Sequence, residues 1–402
     1  MHFLYNIGIL FLGIGVRVHG LFNPKSKEWV NGRKGWRSQL PDTENREVIW
    51  FHCASLGEFD QGLPLMQKFR SEHPDAFLLV TFFSPSGMKH YHKRNHPADH
   101  VCYIPLDTPR NARTMMAHFK PKYFCLIKYE FWSNHIIEAK KIGAKVYNVS
   151  GLFRKEHRFF KGYGSFFRKT LQQFDWFFVQ NEESVELLSS IGINNVSIVG
   201  DSRYDKVYET KITHTPDSKI AEFCGEDRVF IIGSCWPKDE DILLPVINKM
   251  SCKVIIAPHN VDEKSVQGIT KSLRRPHVRY TKGNLKPNAE VLVLDTIGHL
   301  SSAYSFGAVA YVGGGFSGNL HNILEPAVFG MGVIIGPNHN RFPEAASFIK
   351  CGFGFDVSTS EELKHRIEYV LENKECIDEK AETFVDENRG ASQKMYDMII
   401  AG

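Results

Sequence analysis

Short apolar runs recur along most of the chain, separated by amphipathic stretches and polar loops. From Glu47 onward they read Val48–Cys53, Phe77–Phe83, Val101–Pro105, Tyr123–Lys128, Lys145–Val149, Trp176–Gln180 and Val196–Val199. These runs are β-branched or aromatic and do not alternate with polar residues, as expected of parallel strands buried on both faces. Strand alternating with helix predicts βαβ units. Residues 210–227 are polar, carry Pro216 and show no sustained apolar period, and so read as an interdomain linker. A second series follows: Val229–Gly233, Lys253–Ala257, Val291–Leu294, Ala308–Val312 and Gly332–Ile335. The tail from Ser360 reads as two amphipathic helices. The expected architecture is α/β, with two doubly wound domains and a cleft between them, residues 40–209 and 228–380. A C-terminal helix is expected over 381–402.

One unit of the second series carries more than a fold signal. The strand Ala308–Val312 runs into Gly313-Gly314-Gly315, and a helix is expected to begin near Asn322. Glycines admit positive φ and close approach of a ligand. A strand, a glycine turn and a helix N-terminus together form an anion site. The plainer reading is a tight turn with an ordinary cap, since Asn322-x-x-Glu325 has capping-box spacing. Neither a P-loop nor a dinucleotide fingerprint is present.

The first residues break the pattern. Phe3 to Val18 is apolar apart from Tyr5, Asn6 and Arg17, and Lys25, Lys27, Arg33, Lys34 and Arg37 follow it. A spanning helix wants about 20 apolar residues, so this segment is marginal for length. Its leading end has no Lys or Arg and no small-residue cleavage site follows, which argues against a signal peptide. The basic cluster favours the cytoplasmic side. The expectation is a membrane anchor over 1–22, with the body on the cytoplasmic face of an inner membrane.

With 402 residues, 43% hydrophobic and a net charge of +4, the chain suits two globular domains and gives no footprint for nucleic acid. Eight scattered cysteines without a Cys-x-x-Cys pair are reduced, core-type usage. No metal-ligand spacing stands out, so neither a metal nor a cofactor is expected.

Ligands in such sheets bind beyond the carboxyl ends of the strands, and the candidate chemistry is sought there. The first strand runs into Ser55-Leu-Gly-Glu58. This is either a capping box worth about 1 kcal/mol or a carboxylate held as general base, and spacing alone favours the cap. The turn Ser84-Pro-Ser86-Gly87 offers hydroxyls to a phosphate or sugar, or merely turns. Glu130, within Lys128-Tyr-Glu-Phe-Trp132, is either a hydrogen-bond hub or a site residue. Arg203 is a candidate cation for an anionic ligand. Ser234, Pro258 and His259 end the first two strands of the second series. A basic segment with aromatic residues, Arg154 to Lys169, is either a solvated face or a surface for the phosphates and acyl chains of a lipid.

Several ordered segments resemble the 3-deoxy-D-manno-octulosonic acid (Kdo) transferases, GT-B glycosyltransferases of lipid A synthesis. They are Ser55-Leu-Gly-Glu58, Thr81-Phe-Phe-Ser-Pro-Ser-Gly87, Tyr129-Glu130-Phe-Trp132, Gln180-Asn-Glu182, Asp295-Thr-Ile-Gly298, Val312-Gly-Gly314, His321-Asn-Ile-Leu-Glu-Pro326 and Gly336-Pro337. The resemblance implies inverting transfer of Kdo from CMP-Kdo to a tetraacyl disaccharide precursor of lipid A. It implies Glu58 as catalytic base, and Glu130, with Ser86, on the acceptor side. Arg203, Ser234, Pro258, His259, Ile297, Gly298, Gly314, Asn322 and Glu325 are then expected around the donor. The chain departs from the family at Asn319-Leu320-His321-Asn322, where Gly-Gly-His-Asn is usual. It departs again at Pro258-His259-Asn260, where Pro-Arg-His is usual, and at Arg203, where a Lys is common. The alternatives are another GT-B enzyme with a UDP-sugar donor, or a non-catalytic sugar-nucleotide-binding membrane protein.

Overall fold

The computed structural model describes residues 2–282, 285 and 288–402. The chain forms two compact units. One comprises the residues through Lys206 together with Arg389–Gly402, and the other is Val207–Asn388.

The first unit is built on β1 (Val48–Cys53), β2 (Phe77–Phe82), β3 (His100–Tyr103), β4 (Tyr123–Ile127), β5 (Lys145–Gly151), β6 (Trp176–Val179) and β7 (Val196–Ile198). All pairings are parallel, in the order β3-β2-β1-β4-β5-β6-β7. Alternate residues of each strand feed two cores. Trp50, Leu79, Phe124 and Val146 pack on one face, and Phe51, Val80, Cys125 and Tyr147 on the other. A parallel sheet covered on both sides needs this, and it explains why the strand sequences lack alternation.

The second unit carries β8 (Val229–Cys235), β9 (Lys253–Pro258), β10 (His277–Arg279), β11 (Val291–Val293), β12 (Gly307–Val312), β13 (Gly332–Ile335) and β14 (Gly354–Asp356). Their order is β10-β11-β9-β8-β12-β13-β14. The edge strands β10 and β14 have three residues each, with polar residues and glycine leaving them no apolar run, and were not expected from the sequence.

Three boundaries differ from expectation. The segment 210–227 is largely helical: Arg203–Thr213 runs into it, and Ser218–Cys224 lies within it. Asp217 caps the latter by accepting from Lys219 and Ile220 N–H, both at 3.0 Å, while Ile220, Phe223 and Cys224 turn into the second core. A stripe this narrow in a polar setting hides from a periodicity count. The tail forms three helices, Ser360–Glu372, Lys374–Asn388 and Ala391–Ala401. The expected single helix over 381–402 breaks at Gly390, which has φ 96°. Its last part returns to the first unit, where Ala391, Met395 and Ile399 join the core.

The N-terminal helix is His2–His19. Its Tyr5 hydroxyl donates to buried Asp107 at 2.6 Å, and Asn6 accepts from Asn134 at 2.9 Å. Ile9 and Gly13 are buried, with Gly13 packed so closely on Leu106 that a Cβ would lie 2.7 Å from it. Phe3, Leu4, Leu10, Phe11, Ile14 and Val18 are exposed. The helix therefore has two faces, one docked and one apolar and open, although its composition suggested an apolar surface nearly all round.

Candidate active site

In each sheet the chain order reverses beside the first strand, and ligands of open α/β sheets bind at that reversal, beyond the carboxyl ends. In the first unit it falls between β1 and β4. Glu58 follows β1 and Glu130 follows β4.

Glu58 sits in the first turn of the helix Leu56–Glu72, half-buried. The cap reading does not describe what it does: Ser55 makes no side-chain capping bond, and the Glu58 carboxylate accepts from the N–H of Ala54, one residue further back. Burial pushes its carboxyl up to about 7, and the neighbouring charge of Glu130 adds to the rise. The Ala54 N–H and Lys128 pull the other way without restoring the ordinary value. The result is a carboxylate poised to exchange a proton near neutral pH.

Glu130 is a hydrogen-bond hub. Its Oε2 accepts from Trp132 Nε1 at 2.7 Å and lies 3.2 Å from Nε2 of fully buried His52. The other ring nitrogen of His52 faces the Thr81 hydroxyl at 2.9 Å, which also takes the Trp50 indole N–H at 2.7 Å. This chain of contacts crosses β1, β2 and the end of β4 and fixes the orientation of Glu130. His52 gave no sequence signal beyond its place in an apolar strand.

Ser86 lies in the first turn of the short helix Pro85–His90 that follows β2, where the sequence suggested a simple turn, its hydroxyl 2.7 Å from that of Ser84. The N–H of Ser84 donates to the carbonyl of Ala54 at 2.8 Å, so this turn is tied to the residue that holds Glu58. Arg203 belongs to the first unit and not with the other expected donor residues. It pairs with Asp201 at 2.8 and 2.6 Å, and Asp201 also accepts from Gln61 on the Glu58 helix at 3.0 Å. Lys128 and Ser150, ending β4 and within β5, adopt φ 56° and 55° without being glycine, a strain that collects at functional sites.

The second reversal falls between β8 and β12 and gathers Ser234, Pro258, His259 and Gly314. Ser234 also has φ 53°. Gly313 passes so close to its carbonyl that a Cβ would stand 2.2 Å away, and Gly314 has φ 94°, so these glycines are required. The N–H of His259 donates to the Cys235 carbonyl at 2.8 Å. Its ring stacks on Trp236 at 3.8 Å and lies 4.8 Å from His321. Burial lowers the titration of both histidines. They therefore offer neutral rings near pH 7.

Under this turn sits Asp239, which sequence reasoning missed. Fully buried, it accepts from the N–H of Trp236 at 2.9 Å, the N–H of Gly314 at 3.0 Å and the hydroxyl of Tyr311 at 2.9 Å. One signal was available, an acidic residue three places after Trp236 with Pro237 opening a helix.

Asn322 and Glu325 bond each other at 3.1 Å, and Asn322 accepts from Leu324 N–H at 3.2 Å. The helix expected near Asn322 is Leu324–Val328, only five residues. So short a helix carries little dipole, and donors for an anion must come from the turn itself. Ile297 and Gly298 follow β11 on an exposed loop whose near end is fixed by Asp295, bonded to Thr281 N–H at 2.9 Å.

Residues 30–206 match the family model described as 3-deoxy-D-manno-octulosonic-acid transferase. The match takes in β1 to β7 of the first unit. The similarity continues beyond that domain. A bifunctional glycosyltransferase/methyltransferase of Fusobacterium nucleatum is 27% identical over 91% of this chain, which spans 58% of that longer protein. A Kdo transferase of Rickettsia bellii is 24% identical over 82% of this chain and 80% of its own length. Among solved structures, a UDP-GlcNAc 2-epimerase from Neisseria meningitidis shares the fold with TM-score 0.62 at 15% identity, over 89% of this chain and all of that one.

Proposed function

We propose that the protein transfers Kdo from CMP-Kdo to a tetraacyl disaccharide precursor of lipid A, with inversion at the anomeric carbon. The observation that carries the mechanism is Glu58, a half-buried carboxyl titrating near 7 at the sheet reversal of the unit that matches the Kdo transferase model. In its ionised form it takes the proton from an acceptor hydroxyl while that oxygen attacks the anomeric carbon of Kdo. The bond from this carbon to the phosphate oxygen breaks as the new one forms, and CMP leaves with the electron pair. Glu130, held by His52 and Trp132, orients the acceptor sugar with Ser86.

The second domain holds the nucleotide. Backbone N–H groups around Gly314, with Ser234 and Asn322, face the phosphate; Glu325 and the Ile297-Gly298 loop contact the rest of the nucleotide. Fixed donors stabilise leaving-group charge without reorganising. The Trp236–His259 stack offers a flat surface for the pyrimidine.

The protein works at the membrane, held by its N-terminal helix on the cytoplasmic face. Docking contacts run from Tyr5 to Gly13, about 12 Å along the axis. A helix bound to its own domain over that length lies along the surface, so the exposed apolar face enters one leaflet.

The competing reading is a UDP-sugar donor on the same fold, and thermal unfolding separates the two. A ligand present at about 100 Kd adds about 2.7 kcal/mol of stability. CMP is expected to raise the melting temperature of the full chain while UDP at the same concentration leaves it unchanged. Stabilisation by UDP alone contradicts the assignment.

A further inference from the structure

The first unit contains a cavity of about 410 Å³ walled on one side by Ile9 and Leu12 of the N-terminal helix. Phe131, Phe159 and Phe167 form the opposite wall, and Glu130 lines it too. The volume is that of a ligand site, and the lining joins aromatic and aliphatic side chains to the polar Glu130, His157 and Arg158. The aromatic wall is rigid, with Phe131 packed edge-on to Phe159 at 5.1 Å.

We propose that this cavity receives one acyl chain of the acceptor lipid, making the N-terminal helix a wall of the acceptor site as well as an anchor. The inference rests on the Kdo-transfer reading and names how that same site tells an acylated acceptor from a bare sugar. Three observations select a lipid chain as occupant. Leu12 joins the cavity to the open apolar face of the helix, since it lines the cavity and is itself exposed. The cavity also touches Glu130, so a molecule filling it carries its headgroup to the acceptor-side carboxylate. Finally, Arg158 lines the cavity, packed 4.6 Å from the Phe167 ring, with exposed Arg154 and Lys155 nearby in sequence. Such cations suit the phosphates of an anionic lipid.

Leu12 is partly exposed, so a larger side chain there can fill the cavity without a forced core clash. The full-length protein in detergent is titrated calorimetrically with the tetraacyl disaccharide, and separately with CMP. Leu12→Trp is expected to weaken disaccharide binding at least about tenfold and Leu12→Phe by less, with CMP affinity unchanged. Phe11→Trp, on the open face beside it, is expected to leave both unchanged. In turnover, Leu12→Trp raises KM for the tetraacyl acceptor and leaves transfer to a fully deacylated disaccharide as in the parent. Equal weakening by Phe11→Trp and Leu12→Trp means that the helix only adsorbs to lipid, and overturns the proposal. So does unaltered binding by Leu12→Trp. Absence of Kdo transfer by the parent protein counts against the proposed reaction alone, because the binding titration reads the cavity without turnover.

Discussion

Glu58 stands where two ordinary roles of a glutamate diverge. A first-turn carboxylate on a helix usually gains from the dipole and titrates low. Here burial and Glu130 outweigh the dipole and hold the carboxyl near 7. The unfolded chain releases this proton near the ordinary glutamate value of 4.5, and the folded chain only near 7. Between those values the folded state binds the extra proton, so raising the pH across the window costs stability. Glu58→Gln removes that cost while retaining an oxygen for the Ala54 N–H. It is expected to melt at or above the parent temperature at pH 8 and to match it at pH 4. If Glu58 is the base, kcat/KM for the parent should rise with pH along a limb of apparent pKa near 7. A flat profile across pH 6–8 argues against it. Asp239 shows the opposite use of a carboxylate, enclosed by three donors. Asp239→Ala leaves the N–H groups of Trp236 and Gly314 and the Tyr311 hydroxyl without their acceptor. Each unpaired buried group costs about 1–3 kcal/mol. A clear fall in melting temperature, with loss of CMP binding, is expected; a variant that binds CMP normally would show that the glycine turn does not depend on Asp239.

The elements that carry these residues differ in how plainly the sequence announces them. Buried strands such as Val48–Cys53 are legible because six consecutive apolar or packed residues have few other uses. The edge strands His277–Arg279 and Gly354–Asp356 and the helix Ser218–Cys224 are not, because polar residues and glycine leave those strands no apolar run and one narrow stripe gives the helix no period. Glu58 and Ser55 show the limit of spacing as evidence, because the same four-residue interval serves a cap or a site and only the three-dimensional partner distinguishes them. His52 and Asp239 were invisible for a related reason: their roles come from neighbours distant in sequence. The N-terminal helix was legible as apolar, but its docked face was not, because Tyr5 and Asn6 acquire meaning only from Asp107 and Asn134. Deleting residues 1–22 removes no strand of either sheet. The truncated protein is expected to leave the membrane fraction while retaining CMP binding, and its persistence in the membrane pellet at high salt would contradict the anchor.

At the scale of the molecule, two doubly wound units repeat one device. Each sheet reverses beside its first strand, and each reversal gathers side chains and strained backbone at the carboxyl ends. The first gathers carboxylates, suited to moving a proton. The second gathers backbone N–H groups, hydroxyls and flat rings, suited to a nucleotide. The fold itself serves epimerases as readily as transferases, so architecture does not choose the reaction. The match of residues 30–206 to the Kdo transferase model and the chemistry of Glu58 are what support the proposed reaction. The direct test is the mass of the product formed when purified protein is incubated with CMP-Kdo and the tetraacyl disaccharide. The account predicts an acceptor heavier by whole Kdo residues with matching release of CMP, and a rate at least about a hundredfold lower for Glu58→Gln. An acceptor of unchanged mass, or a Glu58→Gln rate within a few-fold of the parent, would contradict it.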